Sequence, residues 1–486
     1  MLSETRFNRA RSSANVHLST IAAMVLVTTP FLLEAVEPAK PIDVGSRLEL
    51  LVDDYLIESM ENLEFRLHSP KSQERVMVFD KPWENGPYCD YVTVFQDGEL
   101  YRMYYASHLD APGNFGGENH VACYAESRDG IHWTKPALGI VDYEGSKKNN
   151  IVLRGRSCPN FTPFLDTRPG VAADQKYKAV GGNPRGDRPR PELFVSGDAI
   201  HWRKVGEVST PGAYDSQNVM FWDAIGEQYV FYFRVYEGRR HIARATSPDF
   251  LTWSNGQSID LGQTPKEHLY TNATIPYFRA PHMYLAFPMR YVWTRSPLVK
   301  VRKGGVCDAV FMSSRDGVHF SRRHMEAFMR PGPHRRNWTK HSIMIAWGLL
   351  PLSEDEISLY VSQHYFTDTN HLIRAVLRTD GFVSMRGPYS GGEFTTKQIS
   401  FSGHNLVINA ETSAAGSIRA EILDADGKPL EGYRAEDCTE FYGDTTAHTV
   451  HWKGGRDLSR LAGKPVRVRF QIRDADLYSF RFAATK

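Results

Sequence analysis

The sequence predicts an all-β chain, a five-bladed β-propeller followed by a C-terminal β-sandwich, and two observations carry that expectation. The first is a turn pattern that recurs five times. It reads SRDGIHWTKP around Asp129, SGDAIHWRKV around Asp198, SPDFLTWSNG around Asp249, SRDGVHFSRR around Asp316 and, in degenerate form, RTDGFVSMRG around Asp380. Its aspartates lie 69, 51, 67 and 64 residues apart. That period is too long for a helical solenoid and suits one four-stranded blade with generous loops. The second observation is the repeated set of short strand-like runs upstream of each turn.

In chain order, the first unit carries YVTVFQDG, ELYRMYYAS and HVACYAES, and the second FTPFLD, KYKAVGG and PELFVSGD. The third carries NVMFWDAIG, EQYVFYFRVY and HIARATSPD, and the fourth ATIPYFRAP, HMYLAFPMR and CDAVFMSSRD. The fifth carries IMIAWGLLPLS, DEISLYVSQHY and HLIRAVLRTD. These runs are rich in β-branched and aromatic residues and bounded by turn residues, as strands are. In the turn itself Asp accepts backbone hydrogen bonds, Gly takes positive φ, and the aromatic packs between neighbouring sheets. The propeller is expected over residues 48–390, with each turn joining the third and fourth strands of its own blade.

The first 39 residues read as an export signal. Arg6, Arg9 and Arg11 precede the apolar stretch IAAMVLVTTPFLL, with small residues at a cleavage point near Ala35 or Ala39. The expected location is secreted or periplasmic, with no membrane contact after cleavage; an uncleaved membrane anchor is the alternative reading of the same stretch. Five cysteines without CxxC spacing argue against a zinc site, and their odd number leaves at least one thiol unpaired, with Cys123 and Cys307 read as buried in strands. No metal and no cofactor are expected. After Gly391 the runs LVINAE, SIRAEILDADG and VRVRFQIRDADLYSFRF alternate with period two, giving a sandwich over 391–486 whose expected role is structural. A net charge of +2, with no basic run interleaved with aromatics, argues against a nucleic-acid partner; oligomeric state is left open.

In a propeller, the residues just before each innermost strand converge on the axis. Those segments read PYCDYVTV, SCPNFTPF, AYDSQNVMF, KEHLYTNATI and NWTKHSIMI, and they bring three acids, Asp90, Asp215 and Glu267. Any one of them could be turn punctuation; three at equivalent positions suggest a shared site. Glycoside hydrolysis needs one protonated carboxyl for the leaving oxygen and one carboxylate to attack or to activate water. A third acid can raise the donor's pKa. Glu192 and Glu356 are acids expected further from the axis. Tyr88, Gln217, Asn218, His268, Tyr270 and His341 are candidates for sugar hydroxyl bonding and ring contact. Trp338 and Trp83 are candidate stacking platforms, with burial between blades as the alternative.

Five units, an exported chain, a C-terminal β domain and the order Asp90, Asp215, Glu267 at spacings of 125 and 52 resemble the five-bladed glycoside hydrolases of families 32 and 43. The resemblance covers roughly residues 48–387, and the chain departs from the family signatures: no NDPNG, Arg-Asp-Pro or Glu-Cys motif is present. It implies a secreted hydrolase of plant or algal oligo- and polysaccharides, with Asp90 as nucleophile or base, Asp215 as the orienting acid and Glu267 as proton donor. Three rivals remain open. A non-catalytic carbohydrate-binding propeller would need no paired acids. A sialidase would need six blades and an arginine triad, for which Arg234, Arg244 and Arg290 are present. A glycoside phosphorylase would show a single acid with a phosphate-binding cluster, for which Lys340, His341, Arg335 and Arg336 are present.

Overall fold

The structure, a computed structural model, describes residues 40–109, 119–182, 190–301 and 303–484, so the expected export signal lies outside the described residues. Five four-stranded antiparallel sheets make a five-bladed propeller. Blade 1 runs Asp90–Asp97, Leu100–His108, His120–Ser127 and Ile151–Arg154, from the innermost strand outward. Blade 2 runs Thr162–Leu165, Tyr177–Gly181, Glu192–Ser196 and Arg203–Glu207. Blade 3 runs Val219–Asp223, Gln228–Tyr236, Arg240–Ser247 and Gln257–Ser258. Blade 4 runs Ile275–Tyr277, Ala280–Ala286, Met312–Ser314 and Phe320–Ser321, with a separate hairpin, Met289–Val292 with Val306–Ala309, inserted between its second and third strands.

Blade 5 departs from the expected pattern. Its first three strands are Leu350–Pro351, Glu356–Gln363 and His371–Arg378, but its fourth is Lys71–Val78, from the other end of the propeller sequence. The Asp380 turn therefore does not join the third and fourth strands of its blade, as the first four turns do. It sends the chain out of the ring into Val383–Gly387, which pairs with Glu64–Leu67 and Arg467–Ala483. This N-terminal strand closes the ring of sheets and removes the open edge that a linear row of blades would leave.

The turns act as joints between blades. Asp129 Oδ1 accepts the backbone N–H groups of Ile131 and His132 at 2.8 Å each, and Asp198, Asp249 and Asp316 repeat that geometry. The following residue is left-handed each time: Gly130 at φ 71°, Ala199 at 68°, Phe250 at 74° and Gly317 at 76°. In three of the four its carbonyl receives a tyrosine from the preceding blade. Tyr104 donates to Ala199 O and Tyr232 to Gly317 O at 2.6 Å, and Tyr360 of blade 5 donates to Gly130 O at 2.5 Å. At the fifth turn Tyr277 of blade 4 donates instead to the Asp380 carboxylate at 2.7 Å.

The C-terminal strands share one eight-stranded sheet with N-terminal ones. The long strands Asn405–Leu423 and Arg467–Ala483 pair along most of their lengths, and Ile57–Glu61, Glu49–Leu50 and Glu64–Leu67 join them directly or through Gly392–Thr396 and Val383–Gly387. The division near residue 391 read from composition thus falls inside this sheet, because its N-terminal partners precede the propeller in sequence. Phe394, Phe470, Phe480 and Phe482 are buried in its core. All five cysteines are buried free thiols.

At the propeller axis the innermost strands are stitched together. Val94 N donates to Trp347 O at 2.8 Å and Trp347 N to Val92 O at 2.9 Å, joining blades 1 and 5. Gln217 Nε2 donates to Val92 O at 2.9 Å and Trp347 Nε1 to Thr274 O at 2.8 Å. These bonds tie the entries of blades 3 and 4 to blades 1 and 5 at the axis.

Candidate active site

Each innermost strand is preceded, or begun, by a non-glycine residue in the left-handed region. These are Tyr91 at φ 50°, Asn160 at 62°, Tyr214 at 34°, Ala273 at 42° and, on blade 5, His341 at 67° and Ile343 at 61°. Side-chain-bearing residues rarely hold such angles, and clusters of them gather where backbone strain serves a site. Here they turn the chain sharply where it arrives at the axis, so neighbouring side chains face a common cavity of about 220 Å³.

All five blades line it. Blade 1 gives Asp90, Tyr91, Ala106, His108 and His120; blade 2 gives Pro159 and Asn160; blade 3 gives Asp215 and Arg240. The segment before blade 4 and its inserted loop give Tyr270 and Lys303, and blade 5 gives Lys340, His341, Tyr365 and Phe366.

Asp90 is a strongly perturbed acid. Only 5% of it is exposed, and burial pushes its carboxyl up from an ordinary 3.8 to about 7, against the opposing pull of the Tyr365 hydrogen bond and the Lys340 charge. Tyr365 donates to its Oδ2 at 2.9 Å, and His341 Nδ1 lies 3.3 Å from the same oxygen. Burial, reinforced by Lys340 and Arg234, holds His341 well below its usual range, so the imidazole is neutral at pH 7. The segment before Asp90 is anchored by Asn370 of blade 5, whose Nδ2 donates to Gly86 O at 2.7 Å and Cys89 O at 2.9 Å. Behind it the buried Glu84 pairs with Lys135 at 2.7 Å.

Asp215 lines the same cavity, so the structure brings together Asp90, Asp215, Tyr270 and His341 from the residues singled out in the sequence. Glu267 is elsewhere. Its carboxylate is held by Arg290 at 2.9 Å and by the buried Arg322 at 3.2 Å, and Arg290 is itself shared with Asp308 at 2.6 Å. The reason is local: Leu269 bridges Arg290 in an extended pairing, where successive side chains alternate between faces. Tyr270 and Glu267, three residues apart, fall on opposite faces.

The other candidates do structural work. Gln217 bonds the blade 1 backbone, and Asn218 Nδ2 donates to Tyr214 O at 3.0 Å and Ser216 O at 2.9 Å. Tyr88 packs edge-on to Phe366 with centroids 5.6 Å apart, one layer behind the cavity wall. His268 Nδ1 lies 3.4 Å from Arg240 and supports it from outside the cavity lining. Trp338 donates to Gly332 O at 2.9 Å and Trp83 to Asn150 at 2.7 Å, and neither reaches the cavity. Glu192 binds Lys204 at 2.7 Å, and Glu356 is exposed on a blade strand. Arg335 and Arg336 bind Leu298 O and Asp368, away from the site. Arg290 is occupied by two carboxylates, so the sialidase triad does not form.

The residues that sequence reasoning missed are Arg240, Lys303, Tyr365, Phe366 and the pair His108 and His120, whose rings are 4.2 Å apart. Arg240 begins a third strand, Lys303 lies in the blade 4 insertion, and Tyr365 follows a second strand. None sits in the segments before innermost strands, where the acids lie. The flanking histidines of SHLD and ENHV offered a weak signal.

No family model matches the chain. A stretch of 157 residues is 29% identical to the uncharacterized protein MT1551 of Mycobacterium tuberculosis (strain CDC 1551 / Oshkosh) and to the uncharacterized protein Rv1502 of strain ATCC 25618 / H37Rv, covering 31% of this chain and 48% of each relative. The chain spans about half the length of the curated relatives it matches. Among solved structures it is similar to a glycosyl hydrolase from Bacteroides ovatus, with a TM-score of 0.42 and 16% identity over 68% of this chain and 96% of that one. It is similar to an N-acetylgalactosamine deacetylase from F. plautii in complex with blood group B trisaccharide, with a TM-score of 0.45 and 12% identity over 66% and 97%. A third is a member of the GH130 family of mannoside phosphorylases, described as containing glycoside hydrolases that target beta-1,2 mannosidic linkages in Candida mannan, with a TM-score of 0.40 and 15% identity over 68% and 96%. At these identities and scores the likenesses assign no activity to this chain.

Proposed function

We propose that this protein is a glycosidase-type enzyme acting on oligo- or polysaccharides, with Asp90 as the proton donor and Asp215 as the second carboxylate. The observation that carries this reading is the raised pKa of Asp90, about 7, in a cavity that Asp215 also lines. A carboxyl that titrates near 7 keeps a substantial protonated fraction at neutral pH and can give its proton to a departing sugar oxygen. The second carboxylate attacks the anomeric carbon or activates a water for it. This assignment exchanges the roles that the family resemblance implied: Asp90 takes the donor's part and Glu267 becomes structural. Tyr365 and His341 orient the Asp90 carboxyl, and Tyr270 offers an aromatic face to a sugar ring.

A non-catalytic carbohydrate-binding propeller is less favoured, since binding alone gives no reason to bury an acid at the axis. The eight-stranded C-terminal sheet is read as a sandwich-type support for the ring. Export to the periplasm or beyond rests on the N-terminal basic-then-apolar sequence and is checked by the mature N-terminus, expected near residues 36–40. The function is tested by incubating the purified chain with plant and algal oligosaccharides and following reducing-end release. Cleavage by the wild type that disappears in Asp90→Asn supports the reading; cleavage undiminished in that variant removes it.

A further inference from the structure

The cavity carries more positive charge than its acids account for. Three cationic groups crowd the ring of Tyr270: Arg234 at 4.0 Å, Lys340 at 4.8 Å and Arg240 at 5.2 Å from its centroid. Lys340 and Arg240 also lie over Tyr291, at 5.5 and 5.1 Å. Among the described residues none of these three forms an ion pair with a carboxylate, whereas Arg290, Arg315 and Arg322 each do. Lys340 is only 7% exposed and, among the described residues, has no hydrogen-bond partner for its ammonium. The Nε atoms of Arg234 and Arg240 and Nε2 of His341 are likewise buried without a partner.

A buried cation is ordinarily matched by a counter-charge, because desolvation otherwise opposes its burial. Contacts with the two tyrosine faces recover only part of that cost. Lys340, Arg240 and Lys303 all line the cavity that holds Asp90 and Asp215. The space they line is about 220 Å³ in volume, enough for a small charged group.

We propose that this part of the cavity is an oxyanion site, with Lys340 and Arg240 as its principal donors and Lys303 at its edge. Resting on the reading of Asp90 as proton donor, it makes the preferred reaction one at a bond beside a negative charge. That charge is carried by the sugar, as a uronate carboxylate or a sulfate ester, or arrives as inorganic phosphate. With phosphate, one of its oxygens forms the new bond to the anomeric carbon. The glycosidic C–O bond breaks with its electron pair on the leaving oxygen, and Asp90 supplies the proton. Burial and the Arg240 charge bring Lys340 down to about 8, so it remains mostly protonated at neutral pH and able to serve in either case.

The test is calorimetric titration of the full chain at pH 6.5 and fixed ionic strength with galacturonate, glucuronate, their neutral parent sugars, sulfate and inorganic phosphate. At least one anion should bind about tenfold more tightly than the neutral sugars. Lys340→Met and Arg240→Gln should each weaken that anion about tenfold while changing neutral-sugar affinity less than twofold, and Lys340→Arg should retain it. Lys303→Gln, at an exposed position, provides a variant whose folding is not at risk and should weaken the anion several-fold. Asp90→Asn should abolish turnover yet keep anion binding, so failure of the oxyanion site and failure of the acid are separate results. Phosphate-independent cleavage of acidic glycosides identifies the sugar as the source of the charge, and phosphate-dependent cleavage of neutral glycosides identifies free phosphate. Equal binding of acidic and neutral sugars with no sulfate or phosphate binding overturns the proposal, as does unchanged anion affinity in both Lys340→Met and Lys303→Gln.

Discussion

Tyr365 donates its phenolic hydrogen to Oδ2 of Asp90 at 2.9 Å, so the last blade of the ring holds the acid that begins the first. The bond favours the ionised carboxylate and opposes the burial that raises Asp90. Removing it in Tyr365→Phe should push the Asp90 pKa up by roughly one unit. The alkaline limb of the pH–rate profile should move up by the same amount. An unmoved limb would show that Asp90 is not the group whose protonation the reaction needs.

Asp90 also ties stability to pH. Its folded pKa, about 7, lies above the ordinary 3.8, so the folded chain binds more protons than the unfolded one between those values. Below pH 4 the carboxyl is protonated in both states and costs nothing; from there to about 7 the wild type should lose stability, on the order of a few kcal/mol. Asp90→Asn, which cannot ionise, should flatten that decline, and denaturant melts at pH 5 and pH 8 measure the difference.

Lys340 predicts a conflict between stability and function. Its pKa is lowered to about 8, so a buried ammonium without a carboxylate is carried at neutral pH. Lys340→Met should raise stability at pH 7 by about 1 kcal/mol, since an apolar isostere relieves that desolvation. The gain should begin to fade above pH 8, where the folded wild-type lysine becomes neutral. It should be gone only near pH 10.5, where the unfolded lysine also loses its proton. A fall in melting temperature at pH 7 would contradict this account.

Glu267 should behave as a structural residue. Glu267→Gln leaves the buried Arg322 without its carboxylate, a change of roughly 2–4 kcal/mol in stability. The turnover of the molecules that remain folded should stay within a few-fold of wild type. A loss of turnover by orders of magnitude with an unchanged melting temperature would restore Glu267 to the chemistry.

Asp380 fastens the ring to the C-terminal sheet. It is fully buried and accepts from Tyr277 at 2.7 Å, Arg279 at 2.9 Å, Asn409 at 3.2 Å and Ser479 at 2.8 Å. Asp380→Ala strands four donors and should lower stability by about 3 kcal/mol or more, read as a shift in denaturant midpoint.

The blades were legible because their signal is local. Ser, Asp and an aromatic within seven residues define a turn wherever they occur, as at Asp129 and Asp316. The fourth strand of blade 5 was not, because Lys71–Val78 gains its identity from a partner far away in the sequence. Asp90 and Asp215 could be found by asking which acids precede innermost strands. That question could not separate them from Glu267, because the face an extended residue presents depends on its pairing partner, here Arg290. Arg240 and Lys303 were invisible for a related reason: each reaches the axis from an element whose position only the assembled ring defines.

The early place of that closing strand in the sequence has a consequence for how the chain comes to be folded. Glu74 meets Arg374 across 300 residues, at 2.6 Å, so the ring cannot shut until nearly the whole propeller has been synthesised. Bringing such distant segments together costs about 5 kcal/mol of loop entropy, and until then the waiting strand stands exposed to other chains. Its sequence, KSQERVMV, suits that wait. Lys71, Glu74 and Arg75 are charged, the first five residues stay exposed even after docking, and the apolar Met77 comes near the end. A strand this polar resists pairing with strangers and is held in register by its native salt bridge.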